Sequence, residues 1–303
     1  MHFIVNPNAR TSKGALVWEG LEKILKNKGC DYEVHLTAGP GHATKIAAKL
    51  CEENEKIDII MVGGDGTADE IAQGIDASKA TLGYIPVGSS NDLARGLNIG
   101  QEAEPALERI LERKTEKEFD LGYIVNKEGV KRKFLVSSGF GFDAAICFDV
   151  QKNKMKNFLN KIHLGRLIYG LVAVKLIFTH KKTPMTIVVD GGEAKEYKDV
   201  LFAAAMNHPW EGGGVQFSPE ADATDGMLDV CIAHDLSVLK TLRMIPGAYK
   251  GKHVNFTKNV EIIRCKSFNI KANKPQAVHT DGETPFYSEE VTFSTEEKVK
   301  FIL

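Results

Sequence analysis

Ile57-Asp58-Ile59-Ile60-Met61-Val62-Gly63-Gly64-Asp65-Gly66-Thr67 is the stretch that decides the fold. The apolar run Ile57–Val62 reads as a strand buried on both faces, as in a parallel sheet covered by helices. Gly63 and Gly64 stop it, and Thr67 to Ile75 reads as a helix. Glycines let a backbone approach an anion closely and adopt positive φ. A helix N-terminus adds unpaired N–H groups and a partial positive charge. Asp65 and Thr67 can cap the helix, and Glu70 lies one turn in. No Gly-Lys-Ser/Thr follows, so this is not a P-loop.

Working outward, His2–Val5, Tyr32–Leu36 and Leu82–Pro86 read as further strands, and Ala15–Lys28 and Ala43–Cys51 as helices. Strands alternating with helices predict a three-layer α/β lobe with a parallel sheet. Ligands bind such sheets at loops beyond the carboxyl ends of the strands. Two more polar loops lie at such ends: Asn6-Pro7-Asn8-Ala9-Arg10-Thr11-Ser12-Lys13-Gly14 and Pro86-Val87-Gly88-Ser89-Ser90-Asn91-Asp92-Leu93-Ala94-Arg95. From about Phe119 the texture changes. Asp120–Val125 and Lys131–Ser137 flank a hairpin turn at Asn126–Gly129. Met185–Val189, Val200–Met206, Met227–Ala233, Val260–Cys265 and Phe268–Ala272 follow as strands, with helices near 156–180 and 237–249. The expected organisation is an α/β domain over 1–120 and a mainly antiparallel, sandwich-like β domain over 121–303, with a cleft between them. The last strand is a candidate to pack back on the first lobe.

The 303 residues suffice for two domains. They carry 39 Lys and Arg against 40 Asp and Glu, a net charge of −1 that gives no support to a nucleic-acid binder. Cys30, Cys51, Cys147, Cys231 and Cys265 have no metal or disulfide spacing and read as reduced thiols of a cytoplasmic protein. The N-terminus lacks the features of a signal peptide. The longest apolar stretch, Leu167 to Phe178 with Lys175 inside it, falls short of the roughly 20 residues a spanning helix needs. Any membrane contact is therefore expected to be peripheral.

Together, GGDGT at 63–67, PVGSSNDLAR at 86–95 and NPNARTSKG at 6–14 resemble the diacylglycerol kinase catalytic family, the soluble bacterial lipid kinases related to sphingosine and ceramide kinases. GGDGT alone is shared with NAD kinases and, less closely, with phosphofructokinases. The Gly-Ser-Ser-Asn-Asp stretch points to lipid kinases. The resemblance implies ATP and Mg2+ as cofactors and a lipid hydroxyl at the membrane surface as acceptor, diacylglycerol by default. By the same motifs it implies nucleotide contacts from Asn6, Pro7, Asn8, Ala9, Arg10, Thr37, Gly63, Gly64, Asp65, Gly66, Thr67, Glu70, Gly88 and Ser89. Asp65, Asn91 and Asp92 would face the catalytic Mg2+ and its waters.

His279-Thr280-Asp281-Gly282-Glu283 resembles the family's Asp-Gly-Glu. That resemblance makes Glu283 the general base, with Asp281 orienting it or helping to hold metal. Asp222, Asp225 and the Met227 carbonyl resemble a second, structural Mg2+ site. The chain departs from many relatives at Ala9-Arg10, at Ala68-Asp69 before Glu70 and at Ser89. The alternatives are a soluble kinase of NAD or a sugar phosphate and a non-catalytic lipid- or nucleotide-binding relative. A homodimer is left open.

One segment stands out from the neutral balance. Val150 to Val189 contains no acid but carries Lys152, Lys154, Lys156, Lys161, Arg166, Lys175, Lys181 and Lys182 among many apolar residues. A basic, apolar surface attracts anionic lipid headgroups. The alternative is a core helix with lysines snorkelling at its edges.

Overall fold

The computed structural model describes residues 1–152 and 165–303. Lys154, Lys156 and Lys161, and the expected helix before residue 165, lie outside the described residues. The chain divides into two compact units, Met1–Phe119 with Glu297–Leu303, and Asp120–Glu296. The end of the chain thus belongs to the first unit, not to the second.

The first unit alternates β1 (His2–Val5), α1 (Ala9–Asn27), β2 (Glu33–Leu36), α2 (His42–Glu53), β3 (Ile57–Gly63), α3 (Asp65–Gly74), β4 (Ala80–Pro86), α4 (Asp92–Gly96) and α5 (Ala103–Glu112). β1 pairs in parallel with β2 and β3, and β3 with β4. Lys300 and Phe301, near the end of β15 (Glu283–Ile302), pair in parallel with Thr81 and Leu82 of β4. The register sets Val5 beside both Leu36 and Val62, and Gly63 beside Pro86. The carboxyl ends of β1, β3 and β4 are therefore level, and the three polar loops leave from one edge of this sheet.

Ile59, Ile60, Met61 and Val62 have no exposed surface, as a strand covered on both faces requires. Ile60 and Val62 join Phe3, Trp18, Leu25, Leu107 and Ile302 in one core. Fully burying side chains of this size contributes roughly 1.5–3 kcal/mol each. α1 begins six residues before the expected helix, so the first polar loop is only Asn6 to Asn8. α5, which the sequence reading left out, buries Ala106, Leu107 and Ile110 on one stripe.

The elements of the second unit are β5 (Glu116–Asn126, which starts in the first unit), β6 (Lys131–Phe134), β7 (Ser137–Gly141), α6 (Phe142–Lys152), α7 (Gly165–Thr179), β8 (Thr183–Val189), β9 (Lys195–Met206), β10 (Trp210–Glu211), β11 (Val215–Gln216), β12 (Leu228–His234), α8 (Val238–Ala248), β13 (Val260–Cys265), β14 (Ser267–Thr280) and β15. Among the described residues of this unit, β12 with β13 and β9, β14 with β15, β7 and β8, β5 with β6, and β9 with β7 and β8 pair antiparallel, so the chain is mixed α/β with antiparallel pairs predominating. β7 lies between β9 and β14, while β8 pairs with both of them.

The β5–β6 hairpin forms as expected, but Ser137 belongs to β7. The ladder breaks because the amides of Leu135, Val136 and Ser137 turn to the carboxylate of Asp281. α7 buries Ile168, Val172, Leu176 and Ile177 in a core with Phe142 and Val150. No helix of the described residues is long and apolar enough to cross a membrane. All five cysteines are free thiols, and burial pushes that of Cys147 up to about 12.

Candidate active site

Three loops of the first unit are stitched together by backbone and short side chains. The Asn6 amide donates to the Val62 carbonyl at 2.9 Å, and Asn6 Nδ2 donates to Thr67 Oγ1 at 3.0 Å. One asparagine thus ties the loop after β1 to the first turn of α3. Val87 N–H donates to the Gly63 carbonyl at 2.7 Å, which joins the loop after β3 to the loop after β4. A Cβ on Gly64 would stand 3.0 Å from the Gly88 Cα, and one on Gly88 would stand 2.7 Å from the Gly64 Cα. Two backbones in such contact leave a shallow floor beside a helix N-terminus, a shape that suits a phosphate.

Around this floor the expected contacts separate into groups. Pro7 is half-buried, Asn8 and Arg10 are exposed, and Asn8 N–H donates to Asn6 Oδ1 at 3.0 Å. Arg10 has a φ of 47°, a left-handed conformation unusual for a non-glycine residue. Ala9 is buried and packs into the core with Trp18, so its side chain is structural. Thr37 is buried just beyond β2, and its amide donates to the Val5 carbonyl.

Glu70 turns elsewhere than expected. Its Oε1 accepts the Gly41 amide at 2.8 Å and its Oε2 the Ala43 amide at 3.1 Å. Both oxygens cap the start of α2, where a carboxylate compensates the unpaired amides.

The loop after β4 holds itself together. Asn91 is buried with φ 48°, and its Nδ2 donates to Gln101 Oε1 at 2.9 Å and to the Gly88 carbonyl at 3.3 Å. Its side chain fastens the loop. Ser89 is exposed at the tip. Asp92 is buried and paired with Arg95. Asp65 Oδ1 accepts the Leu93 amide at 3.2 Å. Burial pushes the Tyr84 hydroxyl pKa well above its ordinary value, and the charges of Asp65 and Asp92 push it the same way. Both carboxylates therefore act on Tyr84, and Arg95 balances the charge of Asp92.

In the second unit, Asp281 and Glu283 part company. Asp281 Oδ2 accepts the Leu135 amide at 2.7 Å, and Oδ1 accepts those of Val136 and Ser137 at 2.8 and 3.0 Å. Burial raises its pKa to about 6, against the pull of these amides and of His279. With both oxygens committed, Asp281 is not placed to hold metal; it anchors the turn. Glu283 is exposed, and its Oε2 accepts from Gln151 Nε2 at 3.2 Å. Gln151 also donates to the Gly282 carbonyl and accepts from Thr284.

The expected second Mg2+ site is not assembled for a metal. Asp222 Oδ1 accepts the amide and hydroxyl of Thr224. Asp225 accepts the Met227 amide and pairs with Arg264. The guanidinium already supplies Asp225 with positive charge, and each carboxylate closes its own turn. Asp120, from β5, accepts the Gly226 amide at 2.7 Å and holds the same turn.

Three buried residues went unread as a group: Asp143, Glu211 and His279. Asp143 Oδ2 lies 3.2 Å and Glu211 Oε1 3.0 Å from His279 Nε2. An acid inside the apolar stretch Gly139–Cys147 was the available signal.

Residues 1–124 match the family model for the diacylglycerol kinase catalytic domain. Residues 136–288 match that for the YegS C-terminal NAD kinase beta sandwich-like domain. The chain is 29% identical to the diacylglycerol kinase of Bacillus subtilis, over 92% of this chain and 88% of that one. It is 27% identical to the diacylglycerol kinase of Mycobacterium tuberculosis, over 92% and 87%. A crystal structure of a diacylglycerol kinase from Bacillus anthracis superposes with a TM-score of 0.71 at 20% identity, covering 99% of this chain and 95% of that one, a likeness of fold. These matches support a phosphotransferase with an alcohol acceptor. The chain belongs to the diacylglycerol kinase-like lipid kinase family.

Proposed function

We propose that the protein transfers the γ-phosphoryl group of ATP to a lipid hydroxyl, with diacylglycerol giving phosphatidic acid as the default reaction. The contact of Gly64 with Gly88 at the start of α3, with Asp65 and Asp92 beside it, carries this reading. The names of the relatives support the acceptor class. Gly63, Gly64, Gly66, Thr67, Gly88 and Ser89 would cradle phosphates through backbone amides and hydroxyls, with Asn8 and Arg10 at the rim. Asp65 would hold Mg2+, which neutralises phosphate charge when bound, and Asp92 would reach it only on leaving Arg95.

Glu283 is the base in this reading. It takes the proton of the acceptor hydroxyl as that oxygen bonds to the γ-phosphorus and the bridging oxygen leaves with ADP. The exposed, Gln151-held carboxylate supports the assignment. Leu171, Val174 and Phe178 are exposed at 58%, 45% and 64% along one face of α7, with exposed Lys175 and Lys181 nearby. This apolar and basic face supports peripheral contact with an anionic bilayer.

The test offers labelled ATP and Mg2+ with diacylglycerol, phosphatidylglycerol, a prenol, sphingosine and ceramide in mixed micelles, with NAD and a sugar phosphate as soluble acceptors. Labelled lipid that disappears in Asp65→Ala and Glu283→Ala is the expected result. Labelled NAD or sugar instead would replace the lipid reading with that of a soluble kinase. ATP binding without any product would sink the reading.

A further inference from the structure

The buried trio beneath the Glu283 turn has a definite proton arrangement. His279 is fully buried on β14 and is paired in register with Gly139 of β7. Its Nε2 faces Asp143 from α6 and Glu211 from β10. Its Nδ1 receives the Gly282 amide at 3.3 Å. An amide N–H only donates, so Nδ1 must be unprotonated, and the ring proton sits on Nε2 between the carboxylates. The same geometry decides against a cation among these groups. A metal on Nε2 would force the proton to Nδ1 and set one N–H against another.

The acidic neighbours favour a further proton on the ring, and the Gly282 bond at Nδ1 opposes it. Burial raises the pKa of Asp143, against the pull of His279. Burial works to raise that of Glu211 as well, but His279 and Ser137 outweigh it and lower it. Burial lowers the pKa of His279, but Glu211 and Asp143 outweigh it and hold it well above its ordinary value, with Cys147 of α6 acting the same way. The further proton could sit only on Nδ1, at the expense of the Gly282 bond.

Gly282 is the middle of a tight turn in which Asp281 and Gly282 have φ of 49° and 83°. Asp281 anchors one side on three amides, and Gln151 grips the other at Gly282 O and Glu283. We propose that His279 is a positioning residue: by accepting the Gly282 amide at Nδ1 it fixes the turn that aims Glu283. The proposal rests on the reading of Glu283 as the base.

Two variants separate positioning from charge balance. His279→Asn keeps an acceptor where Nδ1 was and gives up the contact of Nε2 with the carboxylates. His279→Gln keeps a donor toward the carboxylates and gives up the acceptor. With both shown folded by circular dichroism, His279→Asn is expected to retain kcat within about threefold, and His279→Gln to lose about tenfold or more at unchanged KM for ATP. Equal losses, or the reverse order, would overturn the proposal. In parallel, nitrogen NMR of 15N-histidine-labelled protein reads the ring directly. A proton on Nε2 alone is expected; a proton on Nδ1, or on both, overturns the hydrogen bond whether or not the enzyme is active. Absence of transfer by the wild type would count against the functional reading alone, and the spectrum would still decide the proton arrangement.

Discussion

Gly64 and Gly88 touch backbone to backbone: a Cβ on Gly88 would stand 2.7 Å from the Gly64 Cα and 2.5 Å from Asn91 Oδ1. The contact is made between the ends of two neighbouring strands, and it forms the floor at which α3 begins. Gly88→Ala must push the two loops apart. Overpacking of this kind costs typically 1–3 kcal/mol. The expected outcome is a lower Tm together with weaker ATP binding by calorimetry. Unchanged nucleotide affinity in a destabilised protein would mean that the floor does not bind phosphate.

Glu70 makes the opposite case. Its carboxylate caps α2, so Glu70→Ala is expected to cost about 1 kcal/mol of stability, the scale of a lost helix cap. Nucleotide affinity is expected to stay unchanged. A large loss of ATP affinity without a drop in Tm would return Glu70 to the nucleotide site.

Asp281→Ala leaves the amides of Leu135, Val136 and Ser137 without their acceptor. Buried donors left unsatisfied cost about 1–3 kcal/mol each, less where water can enter. A loss of about 3 kcal/mol or more in urea unfolding is expected, with activity falling because the turn loosens. A variant as stable as the wild type would contradict the anchor.

His208 supplies a pH test. Burial pulls its pKa down to about 4, with the charge of Asp222 opposing. The folded protein therefore disfavours the second proton that the unfolded chain takes up near 6.5. Its stabilising contribution is complete above about pH 6.5 and is lost as pH falls toward 4, by up to about 3 kcal/mol. His208→Gln is expected to flatten the decline in Tm between pH 7 and pH 4.5. Parallel curves for the two proteins would show that His208 is not the group responsible.

The strand ending in Gly63 was legible because burial on both faces leaves an uninterrupted apolar run. The three loops were legible because close backbone approach restricts the residue types that fit there. β15 was not: Ser288-Glu289-Glu290 and Thr295-Glu296-Glu297-Lys298 break its alternation, and Pro285 lies within it. β14 was read only as Phe268–Ala272 because its register shifts between Lys271 and Gln276. Ser137 was joined to the wrong strand because the residue that interrupts the ladder, Asp281, is far away in sequence. Glu70 and Asn91 carried the expected residue types, yet their side chains serve local structure. The trio of Asp143, Glu211 and His279 is assembled only by α6, β10 and β14, and no spacing in the chain announces it.

Val299, Phe301 and Ile302 are buried in the first unit, where Phe301 packs edge-on against Phe119 and the Leu303 amide bonds to the Thr115 carbonyl. These residues follow the whole second unit in the chain, and domains generally fold as units while the polypeptide is being made. On the ribosome, the first unit must wait with an open β4 edge until its final strand emerges. Stopping translation at residue 296 would therefore strand an aggregation-prone α/β body, although all three polar loops had long since been synthesised.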